Sequence, residues 1–214
     1  MKTSNKLTLI RLLYAPIFFL LYYVPIIVKN DTLAAVFICI AIPLLILAEL
    51  TDGLDGFFAR KNNEVSDFGK LFDPFADVIL HVSSFVCLMF SYDPTARGVL
   101  TEDSFNIVRN GYMPVYLFVV IFYREFGQNF LRMVSAKKGV AIAARKGGKF
   151  KTVMYVVAEF YAVFLELLVR INHVPQCFAV LKTISFVIFL FATILSWASF
   201  VDYLNHFGKA LTDD

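Results

Sequence analysis

The stretch Asp52-Gly53-Leu54-Asp55-Gly56-Phe57-Phe58-Ala59-Arg60, then eight residues, then Gly69-Lys70-Leu71-Phe72-Asp73-Pro74-Phe75-Ala76-Asp77, closes an otherwise oily run. Carboxylates beside a membrane span are expensive unless a cation compensates them. Asp52 and Asp55 are three apart, and Asp73 and Asp77 are four apart. On helices each pair shares one face. Two such pairs on neighbouring helices gather carboxylate oxygens, the donors that hard divalent ions prefer.

Working outward, the composition sets the class. Of 214 residues, 59% are hydrophobic, and the mean hydropathy is +0.70. A soluble domain of this length needs far more polar surface. The chain therefore reads as an all-α, polytopic membrane protein. Six apolar segments fall at approximately 9–28, 33–56, 69–92, 112–133, 149–171 and 178–205. Each is near the ~20 residues that cross a bilayer as a helix. Pro16, Pro25 and Pro43 are tolerated in membrane helices. Asn30-Asp31 makes a tight connection, 93–111 reads as a loop, and 134–148 as a short basic connection. The first apolar run contains Arg11 and has no small-residue cleavage site, so it is expected to be a retained span. Residues 1–214 read as a single membrane-embedded domain.

Charge fixes orientation. Lys2 and Lys6, then Arg60, Lys61 and Lys70, then Lys137, Lys138, Arg145, Lys146, Lys149 and Lys151 fall on one side if six spans alternate. The other side holds Lys29, Arg97, Arg109 and Arg170. The positive-inside rule places both termini, the aspartates and the basic connection in the cytoplasm. A metal site and an anion site then share one aqueous face. The net charge of +3 is too small to argue for nucleic acid. Cys39, Cys87 and Cys177 lie in apolar segments and are expected to be buried small hydrophobes.

Within the aspartate string, Arg60 lies eight residues after Asp52, near the same helix face, and Gly53, Gly56 and Gly69 remove side chains beside the acids. An anionic diphosphate, bridged to carboxylates by metal and held by Arg60, satisfies these charges together. Eight fixed positions at this spacing would arise by chance in such a chain with a probability on the order of one in ten million.

Asp52-x2-Asp55-Gly56-x2-Ala59-Arg60-x8-Gly69-x3-Asp73-x3-Asp77 resembles, without a gap, the signature of the CDP-alcohol phosphotransferase family. The resemblance implies a six-helix membrane enzyme, usually a homodimer. Its reaction moves a phosphatidyl or similar group from a CDP-linked donor to an alcohol, releasing CMP. By carry-over, Asp52, Asp55, Asp73 and Asp77 would hold divalent metal, as two ions of Mg²⁺ or Mn²⁺. Asp77 would also be the general base on the acceptor hydroxyl. Asp52, Gly56, Arg60, Gly69 and Asp73 would border the cytidine diphosphate.

Two further stretches bear on the acceptor. Asn5, Thr8 and Arg11 repeat every three residues at the entry to the first span, forming one polar stripe. They are candidate walls of a headgroup pocket, against a plainer reading of helix capping plus a snorkelling arginine. Arg124 and Arg132, eight apart, share a helical face, and Gly148-Lys149-Phe150-Lys151-Thr152 opens the fifth span. Arg124, Glu125 and Arg132 in apolar surroundings call for partners, and a phosphate on the acceptor supplies one. Arg124, Arg132, Lys149, Lys151 and Thr152 are therefore acceptor-phosphate candidates.

Together these stretches look like the bacterial branch of the family that transfers a phosphatidyl group from CDP-diacylglycerol to sn-glycerol 3-phosphate. Inositol phosphate is the nearest competing acceptor; serine and choline explain the basic groups less well. A divalent-cation transporter is the alternative of another class, but it would spread its acids near mid-membrane.

Several residues are given no site role. His81 is expected to be satisfied by neighbouring hydroxyls. Glu159 and Glu166, seven apart, are candidates to pair with Lys182 or face a polar cavity. Glu49 is a candidate either to tune the metal site or to pair with a base.

Overall fold

The structure is a computed structural model that describes residues 3–61, 67–92, 111–137 and 146–212, with side chains described for 8–51, 72–92, 111–137 and 148–205. Six helices are described: α1 (Thr3–Val28), α2 (Asp31–Lys61), α3 (Asp67–Leu88), α4 (Val115–Lys137), α5 (Lys146–Arg170) and α6 (Phe178–Thr212). The expected loop, 93–111, lies outside the described residues except for Gly111. The expected basic connection shrinks from both ends, because α4 runs to Lys137 and α5 begins at Lys146.

Helix is what lipid dictates, since each backbone N–H and C=O must be satisfied within its own segment. The ends carry recognisable stops. Lys29 takes φ 55° after α1, and the Asn30 side chain accepts the Leu33 N–H at 2.9 Å as the N-cap of α2. Asn172, at φ 56°, ends α5, with the His173 N–H on the Leu168 carbonyl at 2.9 Å, the closing bond of a Schellman turn.

By length and composition, Thr8–Val28, Asp31–Thr51, Gly148–Arg170 and Phe178–Asn205 can each cross a membrane. The protein is an all-helical, multi-pass membrane protein. α3 and α4 are more polar because they carry Asp73, Asp77 and His81, and Arg124, Glu125 and Arg132.

α1 packs against α2 and α3, and α6 against α4 and α5; α3 also reaches α4 and α5, and α2 reaches α5. The buried seam of α1 is Thr8, Arg11, Ala15, Phe18 and Tyr22, at alternating spacings of three and four. That of α2 is Ala34, Ile38, Ala41, Leu45 and Ala48. Its alanines, one every seven residues, let neighbouring backbones approach closely. Leu13, Leu20 and Ile27 on α1 point outward.

Cys87 is buried as expected, but Cys39 and Cys177 are exposed thiols. Hydropathy does not separate the two cases, because lipid is as apolar a neighbour as a protein core.

Candidate active site

Asp73 and Asp77 stand one turn apart on α3, and the α2 helix continues through Asp52, Asp55 and Arg60 to Lys61. The side chains of Asn5, Asp52, Asp55, Gly56, Arg60 and Gly69 lie outside the described residues. Two residues of α1 hold the α3 acids. The Thr8 hydroxyl donates to Asp73 Oδ1 at 2.5 Å, and Arg11 Nη1 donates to Asp77 Oδ1. Arg11 is fully buried, so it does not snorkel; Asp77 keeps 30% of its side chain exposed. Thr8 and Arg11 thus touch the aspartates, and neither lines the basic cavity described next. The reason is register: both sit on the inward stripe of α1, which faces α3.

Beside Asp77 opens a cavity of about 230 Å³. Arg124, Arg132, Lys149, Lys151 and Thr152 line it, together with Asp77, His81 and Glu125. Four bases against two carboxylates leave a positive surplus. Glu125 organises that charge: its Oε1 accepts Arg124 Nη1 at 2.7 Å, Lys151 Nζ at 2.8 Å and the Tyr155 hydroxyl at 3.0 Å. Arg124 Nε also donates to the Ser196 carbonyl at 3.0 Å. The partner for Arg124 is therefore first its own neighbour, which it shares with Lys151; Arg132 and Lys149 bring the cavity's further positive charge.

Gln128, Tyr155, Ser199 and Tyr203 also line the cavity, beyond the residues that the sequence singles out. Gln128 falls midway between Arg124 and Arg132, and Tyr155 four after Lys151, so helical spacing could have found both. Ser199 and Tyr203 sit in an apolar helix that gives no such signal.

His81 differs from expectation. Its Nδ1 lies 2.9 Å from Glu159 Oε2 and 3.9 Å from Glu49 Oε1, so carboxylates and not hydroxyls are its partners. Glu166 instead accepts Arg170 Nε at 2.7 Å, the Tyr112 hydroxyl at 2.9 Å, Ser91 Oγ at 3.0 Å and the Tyr92 N–H at 3.0 Å. Lys182 sits over the Tyr112 ring at 5.2 Å.

The donor set suits a divalent ion. Asp73 and Asp77 offer carboxylate oxygens on one helix face, each oriented by a neighbour, and all-oxygen sets of this kind hold Mg²⁺ or Mn²⁺.

Comparison with known proteins bears on the same residues. The CDP-alcohol phosphatidyltransferase family model matches residues 1–201. A Treponema pallidum protein named CDP-diacylglycerol–glycerol-3-phosphate 3-phosphatidyltransferase is 32% identical over 99% of this chain and 91% of its own length. A Bacillus subtilis protein of the same name is 33% identical over 72% of each chain. A Mycobacterium tuberculosis protein named probable phosphatidylglycerophosphate synthase is 32% identical over 72% of this chain and 62% of its own. Enzymes of this kind depend in general on a divalent cation. With the match running from the first residue through most of α6, the chain belongs to the CDP-alcohol phosphatidyltransferase family.

Proposed function

We propose that the chain transfers a phosphatidyl group from CDP-diacylglycerol to sn-glycerol 3-phosphate, forming phosphatidylglycerophosphate and releasing CMP. The observation that carries the choice of acceptor is the basic cavity opening onto Asp77. A phosphate-bearing alcohol fits it, and the relatives' names point the same way. The cation-transporter alternative finds no support in those comparisons.

Arg124, Arg132, Lys149 and Lys151 hold the acceptor phosphate, with Thr152 and Gln128 on the cavity wall. This places the acceptor hydroxyl toward Asp77, which takes its proton as the oxygen attacks the phosphatidyl phosphorus. The bond from phosphorus to the CMP oxygen breaks, and CMP leaves with that electron pair. Asp52, Asp55, Asp73 and Asp77 would hold Mg²⁺ or Mn²⁺, as two ions, and these would supply neutralisation of the diphosphate charge and orientation of the leaving group. Asp77 works mainly by position, since a carboxylate beside a dication is a weak base. Arg11 and Thr8 fix the positions of Asp77 and Asp73. Asp52, Asp73, Gly56, Arg60 and Gly69 border the cytidine diphosphate, and Asn5 closes the headgroup side.

The same reading takes 1–214 as one domain that crosses the cytoplasmic membrane six times and pairs as a homodimer. α3 and α4, at 22 and 23 residues, are long enough to span. The lysine and arginine bias supports a cytoplasmic active site and cytoplasmic termini.

The test is CMP release from CDP-diacylglycerol by purified protein in detergent with Mg²⁺ or Mn²⁺. Glycerol 3-phosphate, inositol phosphate, serine and choline are supplied in turn. Stimulation by glycerol 3-phosphate and loss of activity in excess EDTA are expected. Stimulation by another alcohol alone sinks the acceptor assignment and leaves the family standing.

A further inference from the structure

We infer that Glu49, His81 and Glu159 form a second metal centre, suited to a divalent transition ion of the zinc type and separate from the aspartate site. They come from α2, α3 and α5. One donor atom from each lies within 4.8 Å of the others. Zinc bonds of about 2.0–2.2 Å would set such donors about 3.3–3.6 Å apart. The two distances from His81 Nδ1, 2.9 Å to Glu159 Oε2 and 3.9 Å to Glu49 Oε1, fall on either side of that spacing, and the two carboxylates lie within 4.8 Å of each other.

Burial makes the grouping unusual. Glu159 is fully buried and His81 is 7% exposed. Aromatic rings flank the imidazole, Phe85 at 5.9 Å and Tyr155 at 5.7 Å. One Glu159 oxygen bonds His81, while the other, Oε1, is buried with no hydrogen-bond partner among the described residues. Two carboxylates converge on a single imidazole here. A dication with a neutral imidazole cancels both charges, and a Glu159 carboxylate that takes it with both oxygens leaves neither Oε1 nor Oε2 without a partner. Arg11 lines the adjoining cavity, but its Nη1 goes to Asp77.

Donor chemistry separates the two sites. The aspartates offer oxygen alone, which suits Mg²⁺ and Mn²⁺; one nitrogen with two carboxylates suits Zn²⁺, or Co²⁺ in its place. A cavity of about 10 Å³ lined by Glu49, His81 and Asp77 is about one water-sized sphere, the space a single ion needs. His81 also lines the larger cavity, which gives an ion its way in. A metal there ties α2, α3 and α5 together one turn behind Asp77, and it does so whichever alcohol is the acceptor.

The experiment uses the full-length protein purified without a polyhistidine tag, stripped with chelator and reloaded with Co²⁺ under excess Mg²⁺. The excess Mg²⁺ fills the aspartates. One retained Co²⁺ per chain is expected, with visible d–d bands and one imidazole nitrogen in the cobalt X-ray absorption spectrum. A His173→Asn, His206→Asn background removes the only other histidines. In that background His81→Gln, and separately Glu159→Gln, should lose the retained cobalt. Asp52→Asn, Asp55→Asn, Asp73→Asn and Asp77→Asn combined should keep it. The unmutated protein decides the matter even if the variants fail to fold. Cobalt that washes out, or is retained with no imidazole nitrogen, overturns the inference, as does an imidazole signal that survives His81→Gln.

Discussion

Replacing Arg124 separates anchoring of the acceptor from support of the fold. Arg124 is 3% exposed, lines the basic cavity, and makes two bonds, to Glu125 at 2.7 Å and to the Ser196 carbonyl at 3.0 Å. Truncation to alanine removes one cation from the phosphate's surroundings. A charge-assisted hydrogen bond contributes about 1.5–3 kcal/mol, so KM for glycerol 3-phosphate should rise about 10- to 150-fold. KM for CDP-diacylglycerol should move much less, because that substrate is assigned to Asp52, Gly56, Arg60, Gly69 and Asp73 and not to the basic cavity. The stability cost should fall near the low end for a broken buried pair, about 3 kcal/mol. Glu125 still accepts Lys151 at 2.8 Å and Tyr155 at 3.0 Å, so it is not stranded. Arg124→Lys keeps the charge and should recover part of the acceptor KM while recovering less of the Tm. The assay is steady-state CMP release with each substrate varied in turn, alongside a thermal melt in detergent. Equal rises in both KM values, or a fallen Tm with acceptor KM unmoved, would refute the phosphate assignment and make Arg124 a structural partner of Glu125.

Asp77→Asn should lower turnover by about 10²–10⁴-fold while CDP-diacylglycerol still binds; loss of donor binding in an equilibrium assay would make Asp77 chiefly a metal ligand. Thr8→Val deletes the 2.5 Å bond to Asp73 and should raise the half-activating Mg²⁺ concentration about tenfold; an unchanged activation curve rejects an orienting role for Thr8. Gly111→Ala should destabilise the fold without touching the site, because a Cβ there would lie 2.1 Å from the Met89 carbonyl oxygen. The expected loss is about 2 kcal/mol, or about 4–8 °C in Tm, and an unshifted melt shows that the α3–α4 connection relaxes around it.

Charged residues announce themselves in an apolar chain, which is why the aspartate string, Arg124, Arg132 and the Lys149–Thr152 entry stand out from the sequence alone. Their spacing also reveals the shared faces, since helical periodicity is local. Pairing across helices is not legible in the same way. Thr8 meets Asp73 65 residues away, and His81 meets Glu159 78 residues away. Nothing local distinguishes those partners from any other acid in a span. Glu125 reads in the sequence as a charge in need of a partner, yet it collects three donors from two helices. The fate of Cys39 is equally hidden, because lipid and protein present the same apolar face to it.

The Glu166–Arg170 bond has a consequence for biogenesis. Both partners lie on α5, four residues apart, joined at 2.7 Å. A lone ionised side chain at a helix centre raises the cost of entering the bilayer by about 2.5–3.5 kcal/mol. Here the two charges can cancel as soon as one helical turn forms, before any other segment has docked. α5 can therefore leave the insertion machinery already neutralised at that end, and the later arrival of Ser91, Tyr112 and the Tyr22 carbonyl, which accepts Arg170 Nη2 at 2.8 Å, only adds to a pair that is already made.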